Sequence, residues 1–168
     1  RRGLYGYFDD AERYAFFCKA VLEIQQHIDF QPDVIHCNDW QTALIPVFLE
    51  EFYRKDVPCC RDIRVLFTIH NIQYQGQYGL ELINDIMGIP LYHTDLLSYD
   101  GDVNFMKAAI ETADKVTTVS PSYAWEILDP WYSHGLDREL VNKQYKLCGI
   151  LNGIDQKIYD PATDPVIA

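Results

Sequence analysis

The polar side chains best suited to chemistry in this 168-residue sequence stand where runs of apolar residues stop. They form four groups, which are Asn38-Asp39, His70-Asn71, Ser120 and Asn152-Gly153. A carboxylate such as that of Asp39 can accept hydrogen bonds from hydroxyl groups or stabilise a developing positive charge. A histidine such as His70 can donate a hydrogen bond to a hydroxyl or phosphate oxygen. These residue types favour a binding site for a ligand that carries hydroxyl or phosphate groups.

Four predicted strands carry these groups. Residues 65–69 form an unbroken apolar and β-branched run, which is typical of a strand buried on both faces of a parallel sheet. The other strands are predicted at residues 33–38, 115–119 and 147–151. Because helical segments separate the strands, we expect parallel pairing with right-handed connections. The carboxyl ends of parallel strands lie at one edge of the sheet, so the four polar groups predict a binding crevice there.

Helices are predicted between the strands, where apolar residues recur at the helical period. The predicted ranges are 9–28, 41–54, 103–113, 121–128 and 136–145. Asp9 and Glu12 resemble a capping box at the start of the first helix. Within residues 77–101, a short helix is predicted over 80–87 and is closed by Gly88, and residues 90–101 are predicted to form an irregular excursion with short helical turns. A connection of this length often carries function. The length and the 48% hydrophobic content favour a single α/β domain over residues 1–168.

Composition excludes several classes of protein. The net charge of −11 and the lack of a Lys/Arg cluster argue against a nucleic-acid partner. The five cysteines are odd in number and include no CxxC pair, which argues against a disulfide framework and a zinc site. No apolar run approaches the roughly 18 to 20 residues of a membrane span, and no signal peptide opens the sequence. We therefore expect a cytoplasmic protein with reduced thiols, without a membrane partner or a cofactor.

Each candidate residue also has a structural interpretation. Asp39 could be the N-cap of the next helix, and Trp40 could be core rather than the wall of a pocket. His36 lies inside a predicted strand, which favours a hydrogen-bonded core histidine. Ser120 precedes a proline and is typical of a helix N-cap, with no GxSxG motif around it. His36, Asp39 and His70 have no recognisable ligand spacing, so no metal site is predicted.

Four longer motifs resemble bacterial glycogen synthases and their plant relatives, the starch synthases. They are HCNDWQTALIP at residues 36–46, FTIHNIQYQG at 67–76, KAAIETADKVTTVSPSYAWEI at 107–127 and GILNGIDQKIYDPATD at 149–164. The motifs occur in the order found in that family, and the resemblance extends from about residue 7 to residue 164. It implies a Rossmann-like parallel sheet flanked by helices, which would be the later part of the N-terminal domain of a glycosyltransferase-B fold.

The resemblance also implies an activity. Members of the family transfer glucose from a nucleotide-glucose, usually ADP-glucose in bacteria, to the non-reducing end of an α-1,4-glucan, with retention of configuration. Asp39 matches the essential aspartate of the family, and His70 matches a histidine near the donor glucose. Asn152 is likewise expected near the donor glucose. The remaining residues expected to bind substrate or line the cleft are Trp40, Asn71, Tyr74 and Gln75.

The sequence departs from the family pattern in three respects. The lysine-containing glycine motif of the first family strand is absent, and so is the C-terminal nucleotide-binding domain with its Arg, Lys and Glu near the donor. Asn38 stands where many members have His. Together with the abrupt start at Arg1-Arg2, these absences lead us to expect an incomplete N-terminal domain that is inactive alone.

Two other interpretations stay open. The chain could be a glucan-binding module without chemistry, or an unrelated nucleotide-binding α/β protein. The sequence also leaves ADP-glucose and UDP-glucose open as donors. An unprotected sheet edge would favour self-association.

Overall fold

A computed structural model describes residues 3–166 of the chain. The expectation drawn from Arg1-Arg2 concerns residues outside this range. The strands are β1 (Val34–Asn38), β2 (Arg64–Ile69), β3 (Gln77–Tyr78), β4 (Ser98–Tyr99), β5 (Asp102–Asn104), β6 (Lys115–Thr118) and β7 (Leu147–Gly149). The helices are α1 (Asp10–Glu23), α2 (Leu44–Phe48), α3 (Leu82–Asp85), α4 (Thr94–Leu97), α5 (Phe105–Thr112), α6 (Pro121–Glu126) and α7 (Asp137–Asn142).

The four strands predicted from the sequence form one parallel sheet in the order β1-β2-β6-β7. Asn38 pairs with Thr68, which pairs in turn with Thr117, and Thr117 pairs with Cys148. The strands therefore end at the same edge of the sheet. The predicted α/β class and the predicted convergence of the polar strand ends are both confirmed.

Helices cover one face of this sheet. The buried apolar residues of α1 recur at helical spacing and pack against α2; they are Ala11, Ala15, Cys18 and Leu22. Each strand directs alternate side chains to the helical face of the sheet. On that face Cys37 of β1, Phe67 of β2 and Val116 of β6 join residues of α2 and α5 in one hydrophobic core. Burying a side chain of the size of Phe67 contributes about 2–3 kcal/mol. This core holds the strand ends in fixed register.

The opposite face of the sheet is exposed at several positions, whereas Thr68 and Thr117 on the same face are buried. Val34, His36 and Lys115 lie on it and are exposed, and Leu66 is half-buried. The prediction of burial on both faces concerned residues 65–69, and it is confirmed for β2 except at Leu66, since the other four residues are buried. His36 is not a core histidine. Its Nε2 lies 2.7 Å from the hydroxyl of Thr68 on the exposed face.

The short helix predicted over residues 80–87 is present as α3, and α4 is a short helical turn within the predicted excursion, but residues 77–101 also contain strands that were not predicted. Strands β3, β5 and β4 form a small antiparallel sheet, and α3 and α4 lie between β3 and β4. Strands of two or three residues are too short to show an alternating pattern in the sequence. The N–H groups of Phe105 and Met106 bond to the carbonyl oxygens of Gly76 and Gln75, at 3.1 and 3.0 Å, and anchor this sheet beside β2.

The predicted helices exist but are shorter or less regular than expected. The first begins at Asp10, and Asp9 makes no side-chain capping bond, so the predicted capping box is wrong. The range 41–54 contains a 3-10 turn at Trp40–Thr42, the short helix α2 and a π-helical turn at Leu49–Tyr53. Ser120 caps α6, as its residue type predicted, by accepting a bond from the N–H of Tyr123. Among residues 3–166, no helix is long and apolar enough to cross a bilayer.

Candidate functional site

Asp39 lies directly after β1 in a backbone conformation that few residues other than glycine adopt, with φ 55° and ψ −177°. Such a conformation costs about 1–3 kcal/mol and occurs mainly at functional sites. The N–H of Asp39 donates to the carbonyl oxygen of Thr68 at 3.0 Å. Its Oδ1 atom accepts hydrogen bonds from the N–H groups of His70 at 2.8 Å and Asn71 at 3.4 Å. Three bonds to the end of β2 thus hold the strained residue in place.

The carboxylate of Asp39 does not cap the following helical turn, which was the structural alternative to a functional role. No side-chain capping bond forms at the start of Trp40–Thr42. The hydroxyl of Thr42 donates instead to the carbonyl oxygen of Asn38 at 2.9 Å. Of the two carboxylate oxygens of Asp39, only Oδ1 is hydrogen-bonded within residues 3–166, so Oδ2 is available to a ligand.

The side chain of His70 is exposed and is oriented by the residue that precedes Asp39. The Nε2 atom of His70 lies 2.9 Å from Oδ1 of Asn38. Because an amide oxygen only accepts, Nε2 carries the hydrogen in this bond, and the neutral ring therefore has an accepting Nδ1 atom. The Nδ2 atom of Asn38 faces the carbonyl oxygen of His36 at 3.5 Å, in agreement with this amide orientation.

A cavity of about 580 Å³ opens on one side of Asp39 and is called the large cavity below. Its lining residues are aromatic or carry hydrogen-bonding groups, namely Tyr5, Gly6, Tyr7, Asp10, Asp39, Trp40, Gln41, Asn71, Tyr74 and Tyr78. Trp40 is buried, with the ring of Tyr14 edge-on to it at 5.0 Å, so it is both core and cavity wall. Flat apolar faces beside carboxylate and amide oxygens suit a ligand with apolar faces and many hydroxyl groups.

A second cavity of about 150 Å³, called the small cavity below, lies over the ends of β1, β2 and β6. His70, Asn38 and Asn152 line it together with Thr118. The N–H of Ile150 donates to the carbonyl oxygen of Thr118 at 2.8 Å, which brings the chain after β7 to this edge. Asp39 and Asn71 line the large cavity, and His70 lines the small one. The hydrogen bonds that the N–H groups of His70 and Asn71 donate to Asp39 therefore connect the two cavities.

A family model described as the starch synthase catalytic domain matches residues 1–142. The chain belongs to this family. Glycogen synthase from Desulforamulus reducens is 49% identical over 99% of the chain, and that from Bacillus licheniformis is 47% identical over the same share. The chain spans 35% of the length of each of these relatives.

A solved structure agrees with the family assignment. The chain superposes with a TM-score of 0.82 on the catalytic domain of starch synthase IV from Arabidopsis thaliana bound to ADP and acarbose. The two are 36% identical, and the match covers 98% of this chain and 34% of that one. The four-stranded parallel sheet thus corresponds to part of a starch synthase catalytic domain.

Gln75 is the one residue of the starch synthase site prediction that lines neither cavity. Its side chain is 5% exposed, and Nε2 donates to the carbonyl oxygens of Ile72 at 3.1 Å and His134 at 3.0 Å. Its Oε1 atom accepts from Nδ2 of Asn104 at 2.6 Å. All of its polar atoms are thereby engaged by the protein, so Gln75 supports the loop after β2 and does not face the cleft.

Sequence reasoning missed four lining residues of the large cavity that belong to the N-terminal segment, which are Tyr5, Gly6, Tyr7 and Asp10. It also missed Gln41 and Tyr78. The concentration of tyrosines near the N-terminus was a usable signal. However, residue type alone does not show that this segment folds back to the end of β1.

Asp10 and Tyr78, which line the large cavity, have shifted pKa values. Burial opposes ionisation of Asp10, but hydrogen bonds from the N–H groups of Tyr7 and Gly6 and from Arg13 outweigh it and hold the pKa of Asp10 below its usual value. Burial, reinforced by the charge of Asp10, raises the pKa of Tyr78 to about 12. At neutral pH the cavity therefore holds a carboxylate and a phenol that can donate a hydrogen bond.

No group of three or more His, Cys, Asp or Glu side chains placed to hold a metal ion occurs in the described part of the chain. All five cysteines are free thiols. Burial raises the pKa of Cys37 to about 12, which keeps this thiol, near the strand end, protonated and unreactive at neutral pH.

Proposed function

We propose that this chain is part of a retaining glucosyltransferase of glycogen synthesis. The enzyme transfers glucose from ADP-glucose to the non-reducing end of an α-1,4-glucan. The observation that carries the proposal is the strained Asp39, whose carboxylate joins the two cavities through the backbone of His70. Membership in the starch synthase family supports the same chemistry.

The lining of each cavity suits one of the two substrates. The small cavity, with His70 and Asn152, suits the glucose of the donor, because amide and imidazole groups can bond its hydroxyls. The large cavity, with Trp40 and Tyr74, suits the end of the glucan chain. The Arabidopsis relative is bound to ADP and acarbose, which supports a nucleotide and an oligosaccharide as the ligands of the complete synthase.

Asp39 and His70 are the proposed catalytic residues. The carboxylate of Asp39 would stabilise the positive charge that develops on the transferred glucose. His70 would bond a donor hydroxyl while Asn38 holds its ring. Asn71 would assist at the junction, since its N–H already bonds the carboxylate of Asp39.

We propose that the chain alone is inactive because its two cavities lack cationic side chains within residues 3–166. Neither cavity is lined by a lysine or arginine among the described residues. Transfer leaves a diphosphate, and its developing charge requires cationic groups in a water-excluded site. Those groups would belong to the rest of the synthase, since this chain spans only about one-third of the length of its relatives.

The experiment measures transfer of labelled glucose from ADP-glucose to glycogen by the complete synthase and by this chain alone. We expect transfer by the complete synthase only, and UDP-glucose in a parallel assay identifies the preferred donor. Transfer by the isolated chain at the rate of the complete synthase would refute the proposal that it is inactive. A complete synthase that transfers from neither donor would refute the proposed function.

A glucan-binding module without chemistry is the second candidate. One observation favours it, which is that the aromatic large cavity is built within this chain. Affinity electrophoresis of the isolated chain in a glycogen gel tests it, and unretarded migration would exclude it. Calorimetry with ADP tests nucleotide binding, because an independent nucleotide-binding protein would give a binding isotherm.

We also propose that the open edge of β1 allows self-association. Within residues 3–166 β1 pairs only with β2, so its outer edge has unpaired backbone groups. Light scattering across a range of concentrations would show a dimer of the isolated chain, and a monomer at all concentrations would refute this.

A further inference from the structure

The buried carboxylate of Asp10 organises residues 4–7, which we call the tyrosine segment. Asp10 is 3% exposed. Its Oδ2 atom accepts hydrogen bonds from the N–H groups of Gly6 at 2.5 Å and Tyr7 at 2.9 Å. Gly6 has a φ of 95°, a conformation that glycine adopts without strain, so the segment turns sharply at that point. One carboxylate oxygen thus fixes the turn.

Arg13 and Tyr14 attach the other end of the tyrosine segment to α1. Arg13 pairs with Oδ1 of Asp10, and its Nη2 donates to the carbonyl oxygen of Leu4 at 3.0 Å. The hydroxyl of Tyr14 donates to the same oxygen at 2.5 Å. The ring of Tyr14 also packs on Trp40, the residue next to Asp39. A continuous set of contacts therefore runs from the tyrosine segment to the strand end that carries Asp39.

The tyrosine segment buries little surface of its own. Leu4 is 78% exposed and Tyr5 is 64% exposed, so the segment adds little to the hydrophobic core. Nevertheless Tyr5, Gly6 and Tyr7 line the large cavity together with Asp10. A buried, fully bonded carboxylate beneath an exposed segment is hard to explain by core stability. It is well explained by the shape of the cavity.

We propose that Asp10 is a positioning residue for the glucan acceptor, because it holds the tyrosine segment as one wall of the large cavity. Asp10 sets the affinity for the acceptor and leaves that for the nucleotide-sugar donor unchanged. This inference rests on the proposed function in assigning the large cavity to the glucan.

The test compares Asp10→Ala, Asp10→Asn and the control Glu12→Gln in the complete synthase. Glu12 is an exposed acidic residue on the first turn of the same helix. We expect Asp10→Ala to raise KM for glycogen about five-fold or more, and to leave KM for ADP-glucose within about two-fold. Asp10→Asn keeps an oxygen for Gly6 and Tyr7 and loses the ion pair with Arg13, so we expect a smaller rise. Glu12→Gln should change neither constant.

Amide hydrogen exchange provides a readout independent of activity. We expect faster exchange at Gly6 and Tyr7 in Asp10→Ala than in the unaltered synthase, with Asp10→Asn close to the latter. An unchanged KM for glycogen, an equal rise in both KM values, or unchanged exchange in Asp10→Ala would overturn the inference. An unaltered synthase that transfers no glucose would instead refute the proposed function, so the two failures are distinguishable.

Discussion

The Oδ1 atom of Asp39 accepts a 2.8 Å hydrogen bond from the backbone N–H of His70, at the ends of two neighbouring parallel strands. A second bond crosses the same gap in the same sense, from Nε2 of His70 to Oδ1 of Asn38. The register that places Asn38 opposite Thr68 makes both bonds possible. The sheet therefore fixes both proposed catalytic side chains relative to each other before any substrate binds.

Removing the charge of Asp39 should abolish most activity without unfolding the protein. Asp39→Asn keeps an oxygen for the N–H of His70 but cannot stabilise positive charge on the transferred glucose. We expect kcat of the complete synthase to fall about 10²–10³-fold with little change in KM. Steady-state kinetics with ADP-glucose and glycogen measure this, and thermal unfolding provides the folding control.

A paired comparison tests the backbone strain at Asp39. Asp39→Gly and Asp39→Ala both lack the carboxylate, but only glycine adopts φ 55° and ψ −177° freely. We expect the glycine variant to be more stable than the alanine variant by about 1–3 kcal/mol in urea unfolding. Equal stabilities would show that Asp39 is not strained in solution.

Asn38 should control the orientation of His70. Asn38→Ala removes the acceptor for Nε2, so the exposed ring gains rotational freedom and we expect kcat to fall about ten-fold. Asn38→Asp retains an acceptor oxygen at the same position and should lose less activity. If the alanine variant were as active as the unaltered synthase, the bond between Asn38 and His70 would have no role in catalysis.

The part of the site that follows from strand order was predictable from the sequence. Asp39, His70 and Asn152 stand at the ends of apolar runs, and parallel strands end at one edge, so their convergence requires no knowledge of side-chain contacts. Tyr5 and Asp10 reach the same site because the tyrosine segment is hydrogen-bonded to the first residue of α1, which no periodicity encodes. Gln75 shows the opposite error: it was predicted to line the cleft and stands in a polar cluster after a strand, but its side chain is buried and fully hydrogen-bonded.

The same distinction applies to the fold. The unbroken apolar run of β2 predicted a strand of the central sheet, and the helical spacing of apolar residues in α5 predicted one of its helices. The antiparallel sheet of β3, β4 and β5 was missed, because its shape depends on tertiary bonds such as that from the N–H of Phe105 to Gly76. Local pattern predicted the strands of the parallel sheet, whereas the strands of the antiparallel sheet depend on tertiary contacts.

Gly76 should be intolerant of any side chain. An added Cβ would lie 2.9 Å from Cε3 of Trp40 and 3.1 Å from Cβ of Phe105. Gly88 has the same φ of 68° but nothing within 4 Å of its Cβ position, so Gly88→Ala reports the backbone strain alone. We expect Gly88→Ala to cost about 1 kcal/mol and Gly76→Ala about 2 kcal/mol more in urea unfolding. Equal losses would show that Trp40 moves freely away from Gly76.

Asp114 should make stability depend on pH. Its Oδ2 accepts from the N–H of Val65 at 2.8 Å, and its Oδ1 pairs with Arg64 at 2.8 Å. Burial opposes ionisation, but these bonds outweigh it and hold the pKa of Asp114 below its usual 3.8. Because the folded pKa is the lower one, the stabilisation is present above about pH 4 and is lost as the pH falls through the folded value.

Asp114→Asn isolates this contribution from that of the other carboxylates. We expect the variant to be about 1 kcal/mol less stable than the unaltered protein at pH 7, with the difference shrinking as the pH falls below about 4. Urea unfolding at several pH values measures it. Arg64→Ala should cost less than about 0.5 kcal/mol at pH 7, because the Arg64 side chain is 69% exposed and Val65 still bonds the carboxylate. A stability difference between Asp114→Asn and the unaltered protein that does not change with pH would mean that ionisation of Asp114 does not stabilise the junction between β2 and β6.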